Sequence, residues 1–158
     1  MADWQVDFHI VPRSALAAPS QLLTASALEE TAWWSHAAFP ADYRTRLPTV
    51  APAVRSLSAS LESWGDEEGN RIDVWSENGR VSRAMARVDV RRLDSRFGAA
   101  LLSFVHAANA VLIRTDGVVV ARTVASFTGA LRSSPAWRHA SDPAEFIATR
   151  AAIDDDAE

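Results

Sequence analysis

The pair Asn78-Gly79 constrains the fold of this chain more than any other feature, because it stands between two segments suited to β-strands. Residues 71–76 precede the pair and residues 80–90 follow it. Asn-Gly favours a two-residue type I′ turn, in which both central residues need a positive φ. The sequence therefore predicts an antiparallel β-hairpin whose arms are these two segments.

The register of this hairpin follows from the position of its turn. With residues 78 and 79 as the loop, Trp75 would lie over Ser82, and Asp73 would lie opposite Ala84. The second arm is the longer one, so it can pair with a further strand on its other side.

A second hairpin and an N-terminal strand are expected in the same sheet. Asp116-Gly117 predicts another type I′ turn, between residues 110–115 and 118–122. Residues 4–11 alternate between apolar and polar side chains up to Pro12, which is the pattern of a half-buried strand. Its two faces would carry Trp4, Val6, Phe8 and Ile10 on one side and Gln5, Asp7 and His9 on the other.

Two helices are predicted from caps and apolar spacing. Asp94 is an expected N-cap for a helix over residues 95–109, in which apolar side chains recur at helical intervals. Thr123 would cap a shorter helix over residues 124–131.

The segment that follows the first strand is the hardest to assign. Ser26 and Glu29 have capping-box spacing, which predicts a short helix over residues 27–35. Pro40 would begin another short helix that runs through Leu47, because proline is suited to the first helical position.

Three further elements complete the order. Residues 57–64 alternate weakly and favour a strand. Ser134-Pro135 predicts a short turn that carries Trp137. Asp142-Pro143 predicts the start of a last helix that runs to about residue 151, since a cap followed by proline is a typical helix start.

These elements together predict an α+β fold. We expect a single domain over residues 1–153, with a mainly antiparallel twisted sheet built from two β-hairpins plus the N-terminal strand, and with helices packed on one face. A chain of 158 residues is long enough for one domain, since a domain of this size buries roughly 70% of the surface that its unfolded chain exposes. Residues 154–158 are acidic and are expected to form a frayed tail.

The composition argues against several classes of protein. The chain has no cysteine, which excludes disulfides, thiolate metal ligands and a cysteine nucleophile. We recognise no signal peptide and no apolar stretch that would span a bilayer, so we expect a cytoplasmic protein without a membrane partner. The net charge of −4 disfavours nucleic acid as a partner.

No motif for catalysis, phosphate binding or metal ligation stands out. The sequence has no GxSxG, SxxK, HExxH or glycine-rich phosphate loop, so it predicts no catalytic residue, no cofactor and no metal. Four carboxylates gather before the first hairpin, and oxygen ligands of this kind suit a divalent cation. They are Glu62, Asp66, Glu67 and Glu68. A solvated acidic loop is the favoured interpretation, because runs of charge usually face solvent.

Six tryptophans are the most distinctive part of the composition. Trp33 and Trp34 are adjacent, and on a helix their rings would point about 100° apart. Both can be buried only if the segment is covered on two sides. A partly exposed ring beside Phe39 and Tyr43 would instead form an aromatic surface patch.

Our first hypothesis is a non-enzymatic cytoplasmic protein that binds another protein. Trp33, Trp34 and Tyr43 would be its aromatic anchors. The acidic residues Asp66, Glu67 and Glu68 would steer association toward a basic partner. In composition the chain is similar to bacterial immunity proteins and other accessory binding modules.

The alternative hypothesis is a small-molecule-binding or hydrolytic site on a face of the sheet. It would use the side chains of Asp7, His9, Asp73 and Arg87, of which Asp7 and His9 share one face of the first strand. Homodimerisation through an exposed hairpin edge is compatible with either hypothesis.

Overall fold

A seven-stranded antiparallel sheet runs through the residues that the computed structural model describes, 2–16 and 24–144. Its strands are β1 (Gln5–Pro12), β2 (Ala53–Ser58), β3 (Leu61–Gly65), β4 (Arg71–Glu77), β5 (Arg80–Asp89), β6 (Ala110–Arg114) and β7 (Val119–Val120). Their order across the sheet is β2-β3-β4-β5-β1-β6-β7. The N-terminal strand is therefore central, with β5 on one side and β6 on the other, and the predicted α+β class is confirmed.

Five helices accompany the sheet in the described residues. They are α1 (Ala25–Glu30), α2 (Tyr43–Arg46), α3 (Ser95–Ala107), α4 (Val124–Arg132) and α5 (Pro135–Ser141). The predicted caps of α3 and α4 are confirmed, since Asp94 accepts hydrogen bonds from Arg96 N and Phe97 N and Thr123 accepts one from Ser126 N. Within the described ranges, none of these helices combines the length and the apolar character needed to cross a membrane.

The main core lies between one face of the sheet and the helices α3 and α4. Phe8 and Ile10 of β1 are fully buried there, as is Leu101 of α3. Phe8 meets Phe127 of α4 with 5.6 Å between the ring centroids. The apolar side chains of α3 recur at intervals of three and four residues, so they lie on one side of the helix and face the sheet.

The β4–β5 hairpin has the predicted turn but not the predicted register. Asn78 and Gly79 have φ angles of 51° and 75°, as a type I′ turn requires. The pairing shifts by one residue just beyond the turn, so Trp75 lies opposite Arg83, not Ser82, and Asp73 lies opposite Met85, not Ala84.

This shift brings the apolar sides of the two strands together. Val74 lies opposite Ala84, and Ile72 lies opposite Ala86, with all four side chains in the main core. Without this shift in register, the apolar residues of β4 would pair with the polar residues of β5.

The second hairpin forms with a different turn from the predicted one. Gly117 has a φ of 93°, but Asp116 is not among the described residues with positive φ, so the type I′ prediction is wrong. Arg114 N donates to Val118 O at 2.9 Å, and Gly117 N donates to Arg114 O at 2.8 Å. One glycine therefore supplies the only left-handed residue that this longer loop needs.

The segment after β1 differs most from expectation. The predicted helix over residues 27–35 is wrong in both bounds, because Thr24, not Ser26, caps α1 and the helix ends at Glu30. Pro40 does not begin α2, which starts at Tyr43. The tryptophan pair therefore follows α1 in a turn instead of lying on a helix.

Other bounds also change. The single strand predicted over residues 57–64 is two paired strands, β2 and β3, joined by a turn at residues 59 and 60. Ser134-Pro135 opens the helix α5, where a turn was predicted. The last predicted helix lies mainly outside the described residues, as does the acidic tail of residues 154–158.

The second face of the sheet is mainly polar in its middle. We call this surface the polar face, and it consists of Asp7, His9, Ser63, Arg71, Asp73, Trp75, Arg83, Met85 and Arg87. Next to it, Leu28 of α1 covers a smaller apolar cluster formed by Val11, Val111 and Ile113. Strand β1 is thus covered on both faces at this end, which explains why His9 is buried although its face was expected to be open.

Two glycines with positive φ give a paired test of the turns. Gly65→Ala should lower the free energy of unfolding by more than about 2 kcal/mol, because the new Cβ would overlap the carbonyl oxygen of Asn70 at a left-handed position. Gly79→Ala should cost only about 1 kcal/mol, because the space around it is open and only the backbone is strained. Chemical denaturation measures both, and equal costs would contradict the account of the Gly65 turn.

Candidate functional site

Trp34 joins two strands at the point where their pairing stops. The β1–β5 ladder ends at the pair His9 and Met85. Beyond it, Trp34 N donates to Ser82 O at 3.1 Å, and the indole Nε1 of the same residue donates to Ile10 O at 2.8 Å. Trp34 therefore replaces the missing ladder bonds of both strands, and it is 2% exposed.

Trp33 lies half-buried and contacts the smaller cluster as well as the main core. Its Nε1 donates to Leu28 O at 3.1 Å. The adjacent tryptophans are thus covered on two sides, which is the condition under which both can pack. Of the two alternatives, burial and a protruding surface patch, the structure shows burial for Trp34 and Tyr43, which are both at most 5% exposed.

Four aromatic rings, one of them half-buried, form a continuous network. Trp34 meets Phe39 edge-on, with centroids 4.8 Å apart and ring planes at 85°. Phe39 meets Tyr43 at 5.3 Å, and Tyr43 meets Trp64 of β3 at 5.9 Å. Edge-to-face contacts of this kind add to burial and fix the orientation of each ring.

A cleft of about 330 Å³ opens onto this network, and we call it the aromatic cleft. Its aromatic lining residues are Trp34, Phe39 and Tyr43, and its arginines are Arg44 and Arg80. It lies between the segment of residues 37–41 and the tip of the β4–β5 hairpin. The cleft therefore combines an apolar lining with cationic groups.

The two arginines of the aromatic cleft differ in their partners. Arg44 donates two hydrogen bonds to Glu62, at 2.7 and 2.9 Å, and its guanidinium lies over the Tyr43 ring. Among the described residues Arg80 has no ion pair, although Glu77 stands opposite it in the hairpin. The charge of Arg44 is compensated, whereas that of Arg80 is available to a ligand.

Glu62 also accepts a hydrogen bond from the hydroxyl group of Tyr43. Burial, followed by the hydrogen bond to this carboxylate and its charge, raises the pKa of Tyr43 to about 12. The guanidinium of Arg44 holds the pKa of Glu62 below its ordinary value. Sequence reasoning missed Arg44, and it missed Glu62 as a partner of the tyrosine. Arg44 and Glu62 are 18 residues apart, and no local pattern joins them.

The acidic residues Asp66, Glu67 and Glu68 lie exposed in the loop between β3 and β4. They line a separate cleft of about 990 Å³ together with Arg91 and Arg92. The loop precedes the first residue of β4, whereas the aromatic cleft lies beside the other end of that strand. The structure therefore does not bring the predicted aromatic anchors and the acidic residues into one site.

An arginine closes this part of the sheet. Arg91 lies over the ring of Trp4 at 4.1 Å and donates to the carboxylate of Asp89 at 2.8 Å. Asp89 N in turn donates to Asn70 Oδ1 at 2.9 Å. These bonds tie the end of β5 to the loop that carries the acidic residues.

The four residues of the alternative hypothesis do lie together on the polar face. Arg87 stands opposite Asp7, and the two form an ion pair at 2.8 Å. Asp73 and His9 stand opposite Met85 from its two sides. Asp73 is itself paired, since it accepts a hydrogen bond from Arg71 at 2.7 Å and one from the hydroxyl of Ser63.

His9 is the one member of this group without such a partner in the described residues. It is 1% exposed, and its Nε2 atom makes no hydrogen bond. Burial and, after it, the charge of Arg83 lower the pKa of His9, while Glu29 and Asp7 act in the opposite direction. The imidazole is therefore neutral at pH 7, and it lies close to an arginine that the sequence had not singled out.

Comparison with known proteins identifies no relative. No family model, no curated protein and no solved structure matches this chain.

The burial of His9 predicts a pH dependence of stability. The folded-state pKa lies below the ordinary value of 6.5, so the stabilisation is complete above pH 6.5 and is lost as the pH falls through the folded-state value. One such group changes the free energy of unfolding by at most about 1.4 kcal/mol per pH unit. Denaturation between pH 7 and pH 5 should show this slope in the native chain and a shallower one in His9→Gln. Equal slopes would show that His9 does not titrate in this way.

The raised pKa of Tyr43 can be observed directly, because it is the only tyrosine of the chain. Ultraviolet absorbance of the tyrosinate should give a midpoint near pH 12 in the folded protein. Glu62→Gln should lower this midpoint by removing a negative charge beside the phenol, whereas Glu77→Gln should leave it unchanged. A midpoint at the ordinary value of 10.0, with the fold intact by circular dichroism, would contradict the contact.

Proposed function

We propose that this chain is a non-enzymatic protein-binding module, and that its aromatic cleft receives an apolar side chain of the partner. The main support is the lining of the cleft, in which three aromatic rings lie beside two arginines. Its volume of about 330 Å³ lies within the range of roughly 300–1,000 Å³ that is usual for ligand pockets. Such a volume suits a single large side chain.

The cleft is preformed in the unbound chain. Trp34 is held by hydrogen bonds to β1 and β5, and Phe39 is fixed between Trp34 and Tyr43 by edge contacts. Binding therefore does not have to order these rings, and the entropy cost of association is smaller. Trp, Tyr and Arg are also the residue types that contribute most often to binding hot spots.

The charges around the cleft indicate what lies next to the apolar side chain. Arg80 is exposed and has no ion pair among the described residues, so it suits a carboxylate of the partner. The segment that binds would then carry an Asp or Glu beside an apolar residue. In this proposal Trp34 and Tyr43 act as the lining of a receptor, not as protruding anchors.

The acidic loop has a separate role in this proposal. Asp66, Glu67 and Glu68 are exposed beyond the opposite end of β4, so they would meet another region of the same partner, of basic character. Long-range attraction of this kind accelerates association more than it tightens the complex.

The setting that we propose is the cytoplasm of a bacterium, where the protein would act as an immunity-type or other accessory protein. A chain without cysteine is suited to a reducing compartment.

A second candidate function is small-molecule binding or hydrolysis on the polar face. It is supported by the placement of Asp7, His9, Asp73 and Arg87 on adjoining strands around Met85. The two carboxylates are already bonded to arginines, so they are less suited to act as bases than the unpartnered His9.

Matched substitutions test the aromatic cleft. A partner isolated with the native chain should lose at least tenfold in affinity, or about 1.4 kcal/mol, for Arg80→Glu and for Ala38→Trp, which fills the cleft. Arg96→Glu and Ala125→Trp place the same side chains at exposed positions on α3 and α4 that do not line the cleft, and should bind as the native chain does. Calorimetry with the purified partner measures the four affinities. A partner that binds all four variants equally would overturn the proposal.

A further inference from the structure

Two nitrogen atoms on the polar face are buried without a hydrogen-bond partner: His9 Nε2 and Arg83 Nε. Buried polar atoms are almost always bonded in folded proteins, so an unbonded pair calls for a specific explanation. Both atoms belong to residues that face the same side of the sheet, on the neighbouring strands β1 and β5.

Arg83 differs from the other arginines of the polar face. Arg71 is paired with Asp73 at 2.7 Å, and Arg87 is paired with Asp7 at 2.8 Å. Within the described residues no carboxylate lies within 4.0 Å of Arg83; its guanidinium approaches the sulfur of Met85 at 4.0 Å and lies over the ring of Trp75 at 5.5 Å. The face therefore carries one half-buried positive charge that is not neutralised.

His9 shares the electrostatic environment of this arginine. The groups with charge that act on it are Arg83 of β5, Glu29 of α1 and Asp7 of its own strand. The residues opposite it on the two adjoining strands, Met85 and Ile113, are uncharged. The imidazole thus offers an N–H donor within the electrostatic reach of a guanidinium, in surroundings where an anion is poorly screened by water.

We propose that Arg83 and His9 bind a single oxyanion, a carboxylate or a phosphate group, between them. Arg83 supplies the charge and Nε–H, and His9 donates from Nε2–H in the neutral tautomer that carries its proton there. The adjacent pairs Asp7–Arg87 and Asp73–Arg71 are each neutral, so the site takes one anionic group and not a chain of them. This gives the second candidate function its class of ligand, and it is independent of the aromatic cleft.

The imidazole of His9 reports binding in the intact folded chain. Acetate and, separately, phosphate should produce a saturable shift of the His9 resonances at constant ionic strength in chloride. Both should raise the pKa of His9, because a bound anion favours the imidazolium form. Tighter binding of acetate would assign the site to a carboxylate, and tighter binding of phosphate would assign it to a phosphoryl group.

Variants show whether the shift depends on Arg83. Arg83→Gln should abolish the saturable shift, and Arg55→Gln, at an exposed position on β2, should retain it. If Arg83→Gln does not fold, Arg83→Lys takes its place. It keeps the charge but loses the Nε donor, and should lower the affinity for the anion at least tenfold. A shift that is absent in the native chain, or equal in the native chain and the Arg83 variant, would overturn the inference.

Acetamide distinguishes the proposed oxyanion site from the more general proposal that the polar face binds small molecules. It has the shape of acetate without the charge, so it should not shift the His9 resonances. Equal effects of acetamide and acetate would overturn the oxyanion site and leave the polar face as a site for uncharged small molecules. The experiment needs no partner protein, so its failure leaves the protein-binding proposal intact.

Discussion

The interaction on which the arrangement of this protein most depends is the attachment of Trp34 to two strands at once. Its backbone donates to β5 and its indole to β1, where the ladder between these strands has ended. Two carbonyl groups that would otherwise be buried without a donor are thereby satisfied. The same side chain begins the aromatic network, so the end of the sheet and the aromatic cleft are held by one residue. A smaller aromatic ring here would lose the indole donor and leave Ile10 O unbonded.

Local signals in the sequence were sufficient for the β4–β5 turn and for the caps of α3 and α4, but not for the turn at Asp116-Gly117 or the cap of α1. Asn78-Gly79, Asp94 and Thr123 act within a few residues of themselves, and each has its predicted role. The one-residue shift in the β4–β5 hairpin was not predictable in this way, because it is imposed by the need to align the apolar sides of two strands in the core. Strand β2 was not predicted as a separate strand for a related reason: its pairing with the backbone of β3, not a local pattern, defines it.

The candidate sites were predictable only in part. Asp7 and His9 share a strand face, which the alternation of β1 reveals, and the ion pair of Asp7 with Arg87 joins residues that are 80 apart. The roles proposed for Arg80 and Arg83 could not be predicted, because they depend on two conditions that only the folded chain shows: neither has an ion pair among the described residues, and each lies beside aromatic rings. In both cases the uncompensated charge stands beside aromatic or buried groups, where an anion is held more strongly than in water.

The central place of β1 has a consequence for how the protein is made. This strand is synthesised before the other strands of the sheet, and its hydrogen-bonding partners in β5 and β6 follow about 75 to 105 residues later. The core cannot close until most of the chain has emerged, and β1 must remain unpaired until then. Contacts of such long range slow folding, because the chain pays a large loop-closure entropy before they form. Until those contacts form, the apolar side chains of β1 are open to non-native contacts.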